Sequence, residues 1–370
     1  MGYVGILAFM ALLRVLLHED TKRNRRIFCI ASGLLLVLFS ALRHPTVGRD
    51  TVTFIEVFLK VEGRDILDVL QFSSWTEPGF RLLCAFIGLF TKNGQWLIAV
   101  TSLIIHGSVT YFLYKHAKNP YLGMFLYMAL MIYPLYLCIM RQALAVAIFL
   151  FAYGFLKKKK WVPYVLIVLL ASTFHTSVLI FLACPLLTLL RVTRKRLRWL
   201  LPATGAAALL CLLFVRPIIA VAQRIFPRYA DYEPTTFLAL YGFFAFFLAV
   251  VAYGLFRLYL TPEGDTLLPV LENGFDERSF LTLMMLLGVV LAAMMTGFGQ
   301  LQRLFHYFEV FYLLWLPAVT PPLFCEEKSR RLAVPLQLIP VLAVSVAYFL
   351  VLLFLRSGLW YDAMPYRFFW

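Results

Sequence analysis

Apolar runs long enough to cross or enter a bilayer follow one another along nearly the whole chain, broken by short loops in which lysine and arginine cluster. They lie at about 3–18, 27–42, 95–114, 120–138, 142–156, 161–175, 177–190, 199–215, 236–259, 280–297, 304–320 and 333–354. So many runs near the length of a bilayer crossing predict an all-α, polytopic membrane helical bundle of about twelve transmembrane helices. With 62% of the 370 residues hydrophobic and 14% charged, no polar stretch is long enough to build an independent soluble core. One transmembrane domain over residues 1–370 is expected, with a single structured external loop at 43–78 that carries helix.

The net charge of +15 would suit nucleic acid, yet the basic residues sit in short clusters between apolar runs, as in Lys22 to Arg26 and Lys157 to Lys160. Clusters of that kind set membrane topology and touch anionic headgroups, so membrane lipids are the expected partners and nucleic acid is not. The six cysteines at 29, 84, 138, 184, 211 and 325 contain no C-x-x-C pair, and neither a disulfide framework nor a zinc site is implied. Neither a metal nor a cofactor is expected. Residues Met1 to Leu17 lack the basic n-region and cleavage site of a signal peptide and read as the first span.

Four basic loops, 19–26, 115–118, 157–160 and 191–198, should all face the cytoplasm. They do so only if the apolar piece at 80–90 does not cross, and at about eleven residues it is too short to cross comfortably. It is expected as a re-entrant or interfacial helix. The outer face then carries Arg43, Arg49, Arg64, Arg81, Arg141, Arg216, Arg224, Arg228 and Arg303, against Lys60 and Lys92 alone. Arginine offers a rigid fork that grips phosphate or carboxylate through paired hydrogen bonds, which lysine does not. A diphosphate ligand accounts for this choice; arginines reaching for lipid headgroups account for it as well.

The external loop opens with Arg43-His44-Pro45-Thr46-Val47-Gly48-Arg49-Asp50-Thr51. Gly48 permits a turn that other residues resist, and Asp50 either caps the helix suggested by Phe54, Val57 and Phe58 or serves the chemistry. Asp65 and Asp68, at i,i+3 spacing, read as a solvated helix face ahead of a pair that holds a metal. The loop closes with Trp75-Thr76-Glu77-Pro78-Gly79-Phe80, where Pro78 suits the first turn of the short helix. Glu77 is either its cap or a carboxylate that holds a sugar hydroxyl.

Arg141 begins an apolar helix rich in small residues, Ala143, Ala145 and Ala147, so it should face the bundle interior. With few acidic residues inside the spans to pair with it, a ligand phosphate is the expected partner, ahead of the alternative of a structural salt bridge. His175 sits among hydroxyls in Ser172-Thr173-Phe174-His175-Thr176-Ser177, placed to act as acid or base, whereas His106 in mid-span reads as packing. Arg303, His306 and Glu309 share one side of a later helix, either as an internal ion-pair network or as cavity lining. The aromatic tail at Trp360 to Tyr366 reads as an interfacial belt. No P-loop, dinucleotide fingerprint or H-E-x-x-H zinc motif is present.

Taken in order, Arg43, Gly48-x-Asp50-Thr51, Glu77-Pro78-Gly79-Phe80, Arg141-Gln142-x-Leu144-Ala145 and Phe174-His175-x-Ser177 resemble the pattern of the EpsG family, Wzy-like polymerases of bacterial exopolysaccharide and capsule. The family pattern has Tyr where this chain has Phe54, so no hydroxyl stands at that position. The resemblance implies a multi-pass glycosyltransferase of the bacterial cytoplasmic membrane, its site facing outside. Its substrate would be oligosaccharide carried on undecaprenyl diphosphate, and other polysaccharide-assembly proteins would be partners. Asp50, Arg141 and His175 would be the catalytic residues, and Arg43, Glu77, Gln142 and Arg303 would bind substrate. The rival readings are a lipid-linked oligosaccharide flippase, against which no internal repeat is visible, and a membrane acyltransferase centred on His175.

Overall fold

The computed structural model describes residues 2–72, 75–225, 238–260, 270–297, 299–320, 330–355 and 362–370. Arg228, Cys325, Trp360 and Tyr361, singled out above, lie outside the described residues. The chain is helical, and among the described residues only two isolated backbone bridges, Arg43 with Phe368 and Val270 with Asp276, stand outside helices and turns. It divides into two compact units, Met1–Pro185 with Leu342–Trp370, and Leu186–Val341.

The first unit begins with α1 (Gly2–Leu16) and α2 (Lys22–Ala41), then the loop helices α3 (Thr51–Val61) and α4 (Ile66–Gln71) and the short α5 (Pro78–Gly88). It continues through α6 (Gln95–His116), α7 (Pro120–Ala129), α8 (Ile132–Cys138), α9 (Met140–Lys157) and α10 (Trp161–Ser172) to a 3-10 helix at Thr176–Ala183 and α11 (Cys184–Leu187). The second unit is built on α12 (Arg194–Ile225), α13 (Leu238–Leu260), α14 (Glu277–Met295) and α15 (Gln302–Val319); α16 (Arg330–Leu350) leads out of it.

The twelve expected spans are not what the helix lengths give. Among the described residues, six helices are long and apolar enough to cross a membrane, Lys22–Ala41, Gln95–His116, Met140–Lys157, Arg194–Pro217, Leu240–Leu260 and Glu277–Met295. A seventh is formed if the bent pair α7 and α8 counts as one. The apolar runs at 3–18, 161–175 and 177–190 become shorter helices; α10, with 12 residues, is only about 18 Å long against a hydrocarbon core of about 30 Å.

The bend of 56° between α7 and α8 has a local cause. Pro134 in the first turn of α8 has no N–H to offer the carbonyl of Leu130 and its ring crowds that carbonyl, so the helix cannot run through. Met131 takes a left-handed conformation, φ 62°, to start the next segment.

The core of the first unit is the set α2, α6, α9 and α10, with α9 buried on most of its circumference. Its Ala143, Ala145, Ala147 and Ala152 are fully buried, as expected of small residues that let helices approach. Phe149 stacks on Phe181 with ring centroids 3.8 Å apart, and the Tyr164 hydroxyl donates to the Phe181 carbonyl at 2.5 Å, which ties the 3-10 helix to α9 and α10. His106 is a packing residue, its Nδ1 2.8 Å from the Tyr127 hydroxyl.

The aromatic tail does more than line an interface. Tyr366 stacks on Phe39 at 3.9 Å and its hydroxyl donates to the Phe39 carbonyl. His44 N–H donates to Arg367 O at 2.8 Å, Phe369 N–H to Leu42 O at 3.0 Å, and Gly48 N–H to Asp362 O at 3.0 Å. Residues 362–370 are thus laced to the opening of the 43–51 loop.

Candidate functional site

Helix α9 starts in a buried place. Met140, Arg141 and Gln142 form its first turn, all three are buried, and no side chain caps it at Ile139. The first N–H groups of a helix have no partner within the helix and carry a partial positive charge, so this end favours an anion or a carboxylate. Arg141 adds a full charge at the same point.

The partner that Arg141 finds is Glu77. Its Nη1 forms an ion pair with Glu77 Oε2, and both side chains are nearly buried. Glu77 is not among the residues inside the spans; it lies 64 positions upstream, in the loop before α5. Glu77 occupies the N-cap position of α5 but makes no side-chain cap bond there. Its other oxygen, Oε1, lies 3.3 Å from His175 Nδ1 and accepts from Thr176 N–H at 3.4 Å. One carboxylate therefore joins the start of α9 to the start of the 3-10 helix.

Two close approaches hold this arrangement. Gly79 N–H donates to Thr173 O at 2.8 Å, and a Cβ on Gly79 would lie 2.3 Å from Thr173 Oγ1 and 2.8 Å from Thr173 O. Glycine is required there because the backbone of α5 touches the turn that carries His175. Pro78 fills the first turn of α5, as its sequence position suggested. Burial raises the pKa of Glu77, but the His175 hydrogen bond and the charges of Arg141 and His175 more than offset it, and the net shift is downward.

Two aromatic residues complete the surroundings. The Arg141 guanidinium lies 4.4 Å from the Trp75 ring centroid and 5.6 Å from that of Phe54, distances at which a cation is attracted to a ring face. Phe54 is buried against Phe80, while Trp75 is 53% exposed. In the sequence Trp75 carries no evident role, and its place two residues before Glu77 is the available signal. Phe54 is a wall of the Arg141 position.

The other expected site residues are placed differently. Arg43 is fully buried, and its guanidinium donates to Ser40 O, Ser40 Oγ, Ser102 Oγ, Val47 O and Leu137 O at 2.8 to 3.3 Å. Its fork is engaged with backbone and hydroxyls, so it pins the loop instead of standing open to a ligand. Gly48, at φ +101°, brings the loop against the Leu137 carbonyl, and Thr51 Oγ1 donates to Val47 O at 3.2 Å.

Asp50 follows in that pinned loop, half-buried, at the N-cap of α3; its side chain makes no cap bond. The pin at Leu137 anchors it to the end of α8, close in sequence to Arg141. Gln142 is buried beside Arg141 in the first turn of α9. Arg303 belongs to the second unit, exposed in the first turn of α15, whereas His306 and Glu309 form a buried pair at 2.8 Å. Arg81 holds the loop by donating to the Phe72 carbonyl. Asp65 and Asp68 are exposed, and no group of three or more metal-ligating side chains occurs among the described residues.

Arg141 and Lys157 stand at opposite ends of α9, about 24 Å apart along its axis, so the cluster lies at the helix end away from the Lys157–Lys160 turn. Fold and site define a class: a polytopic helical membrane protein with an arginine, a carboxylate and a histidine gathered at the buried start of a core helix. Residues 26–368 match the model of the EpsG family, and the chain belongs to that family. No curated protein and no solved structure matches it. Membership and the apolar helical fold fit a membrane protein concerned with polysaccharide.

Proposed function

We propose that the protein is a polysaccharide polymerase that joins oligosaccharide repeat units carried on undecaprenyl diphosphate, at the outer face of the bacterial cytoplasmic membrane. The observation that carries this reading is the Glu77 bridge between Arg141 and His175 at the start of α9. A hydroxyl oxygen of one lipid-linked unit attacks the anomeric carbon of another. The bond from that carbon to the diphosphate oxygen breaks, and the lipid diphosphate departs with the bonding pair.

Such a leaving group gains negative charge, which Arg141 and the first turn of α9 are placed to stabilise. The proton of the attacking hydroxyl goes to His175, whose ring Glu77 orients as a carboxylate orients a catalytic imidazole elsewhere. This favours His175 over Asp50 as the base. Trp75, exposed beside the charged groups, offers an apolar face suited to the flat side of a sugar ring.

Purified protein incubated with a synthetic lipid-diphosphate oligosaccharide is the test. Polymer ladders are expected, and Arg141→Lys should nearly abolish them while the protein stays in the membrane, because lysine lacks the planar fork. Substrate relocated unchanged across a vesicle bilayer would assign a flippase instead, and a gain of one acyl group an acyltransferase. Full-length polymer from Arg141→Lys would remove Arg141 from the mechanism.

A further inference from the structure

The second unit holds a feature that the proposed reaction does not use. Helices α12 and α13 both pack on α14 and leave between them an apolar groove of about 560 Å³, within the range of about 300–1,000 Å³ that accommodates a small ligand. Leu201, Gly205 and Ala208 line it from α12, Leu248 and Phe256 from α13, and Val289 forms part of its floor. At one end the lining changes character.

Arg194, Arg198, Leu201, Gly205 and Ala208 follow at intervals of three and four, which places both arginines on the face of α12 that lines the groove. The Arg194 guanidinium lies 5.8 Å from the ring of Tyr259, the groove residue nearest the end of α13. The arginine end is also the start of α12, where the helix dipole is positive.

We infer that this groove is a binding site for an anionic phospholipid of the inner leaflet, with an acyl chain between α12 and α13 and its phosphate at Arg194 and Arg198. Charge selects the occupant. The basic cluster at 191–198 marks the cytoplasmic end of α12, so the phosphate is that of an inner-leaflet lipid. A second copy of the chain is disfavoured by the same charges. Two copies in one orientation would bring Arg194 and Arg198 of each together, and an antiparallel pair would need one copy inverted against its basic loops.

Native mass spectrometry of the purified full chain, delipidated and then offered phosphatidylglycerol or phosphatidylethanolamine, tests the site. Phosphatidylglycerol should be retained roughly ten- to thirtyfold better, and Arg194→Gln with Arg198→Gln should bring it down to the phosphatidylethanolamine level. Gly205→Phe should reduce both lipids, since a Cβ at Gly205 meets nothing within 4 Å and the ring would enter the groove. If Gly205→Phe fails to fold, the arginine pair decides alone. Equal retention of the two lipids by the native protein, or undiminished retention by the arginine variant, overturns the inference. A dimer that Gly205→Phe disrupts also overturns it, by assigning the groove to a second copy.

Discussion

Breaking the Glu77–Arg141 pair from either side should damage the protein about equally, and breaking both sides at once should add little. The two side chains are 12% and 11% exposed, so truncating one leaves the other as a buried charge without its partner, at a cost of about 3–5 kcal/mol. For a unit of this size that corresponds to a fall of roughly 6–20 °C in the melting midpoint. The double variant, Glu77→Ala with Arg141→Ala, removes both charges and should melt no lower than the worse single, a coupling of about 3 kcal/mol.

Thermal unfolding in detergent micelles with a thiol-reactive dye reads this directly, because Cys29, Cys84, Cys138 and Cys184 are buried and become reactive only on unfolding. Acid supplies an independent arm. Glu77 has its pKa lowered in the folded state, burial opposing and the His175 hydrogen bond and Arg141 and His175 charges prevailing. Its stabilisation is therefore complete above the ordinary carboxylate pKa and is lost as pH falls through the lower folded value. The midpoint should hold from neutrality down to that range and drop below it, and Glu77→Gln should remove this contribution. Additive losses in the double variant would refute the pairing.

Gly79→Ala should push α5 away from the Thr173 turn, separating Glu77 from His175; polymer formation should fall at least tenfold, and unchanged ladders would show that the contact is dispensable. Gly48→Ala puts a Cβ 2.7 Å from the Leu137 carbonyl at a φ of +101°, and should cost about 1–3 kcal/mol, seen as a lower midpoint in the dye assay. Trp75→Ala should weaken use of the oligosaccharide substrate, raising KM more than it lowers kcat, while the midpoint moves little because the ring is 53% exposed.

Hydropathy located the long helices, since α2, α6, α9 and α14 are apolar through their middles and carry their charged residues near their ends. It set more spans than there are long apolar helices among the described residues, because it does not weigh the polar breaks that shorten α10 and the helix after it, and because Pro134, the signal for the α7 to α8 bend, lies inside an otherwise continuous apolar run. At the site, Arg141, His175 and Glu77 were visible one by one as polar residues at apolar boundaries. Their meeting was not, because the contact depends on α9 and α10 returning the chain to the level where it left α8. Arg43 shows the converse limit: a charge at a span end looks the same in sequence whether it faces a ligand or hydrogen-bonds carbonyls of its own fold.

The bonds between residues 362–370 and the loop after α2 have a bearing on how the protein is made. The second unit is an insertion, translated between two pieces of the first. His44, Gly48 and Arg49 acquire their partners Arg367 and Asp362 only after more than 300 intervening residues have been synthesised. Contacts so distant in sequence are slow to form, so the unit that carries Glu77, Arg141 and His175 must wait in the bilayer, incomplete, while its guest folds.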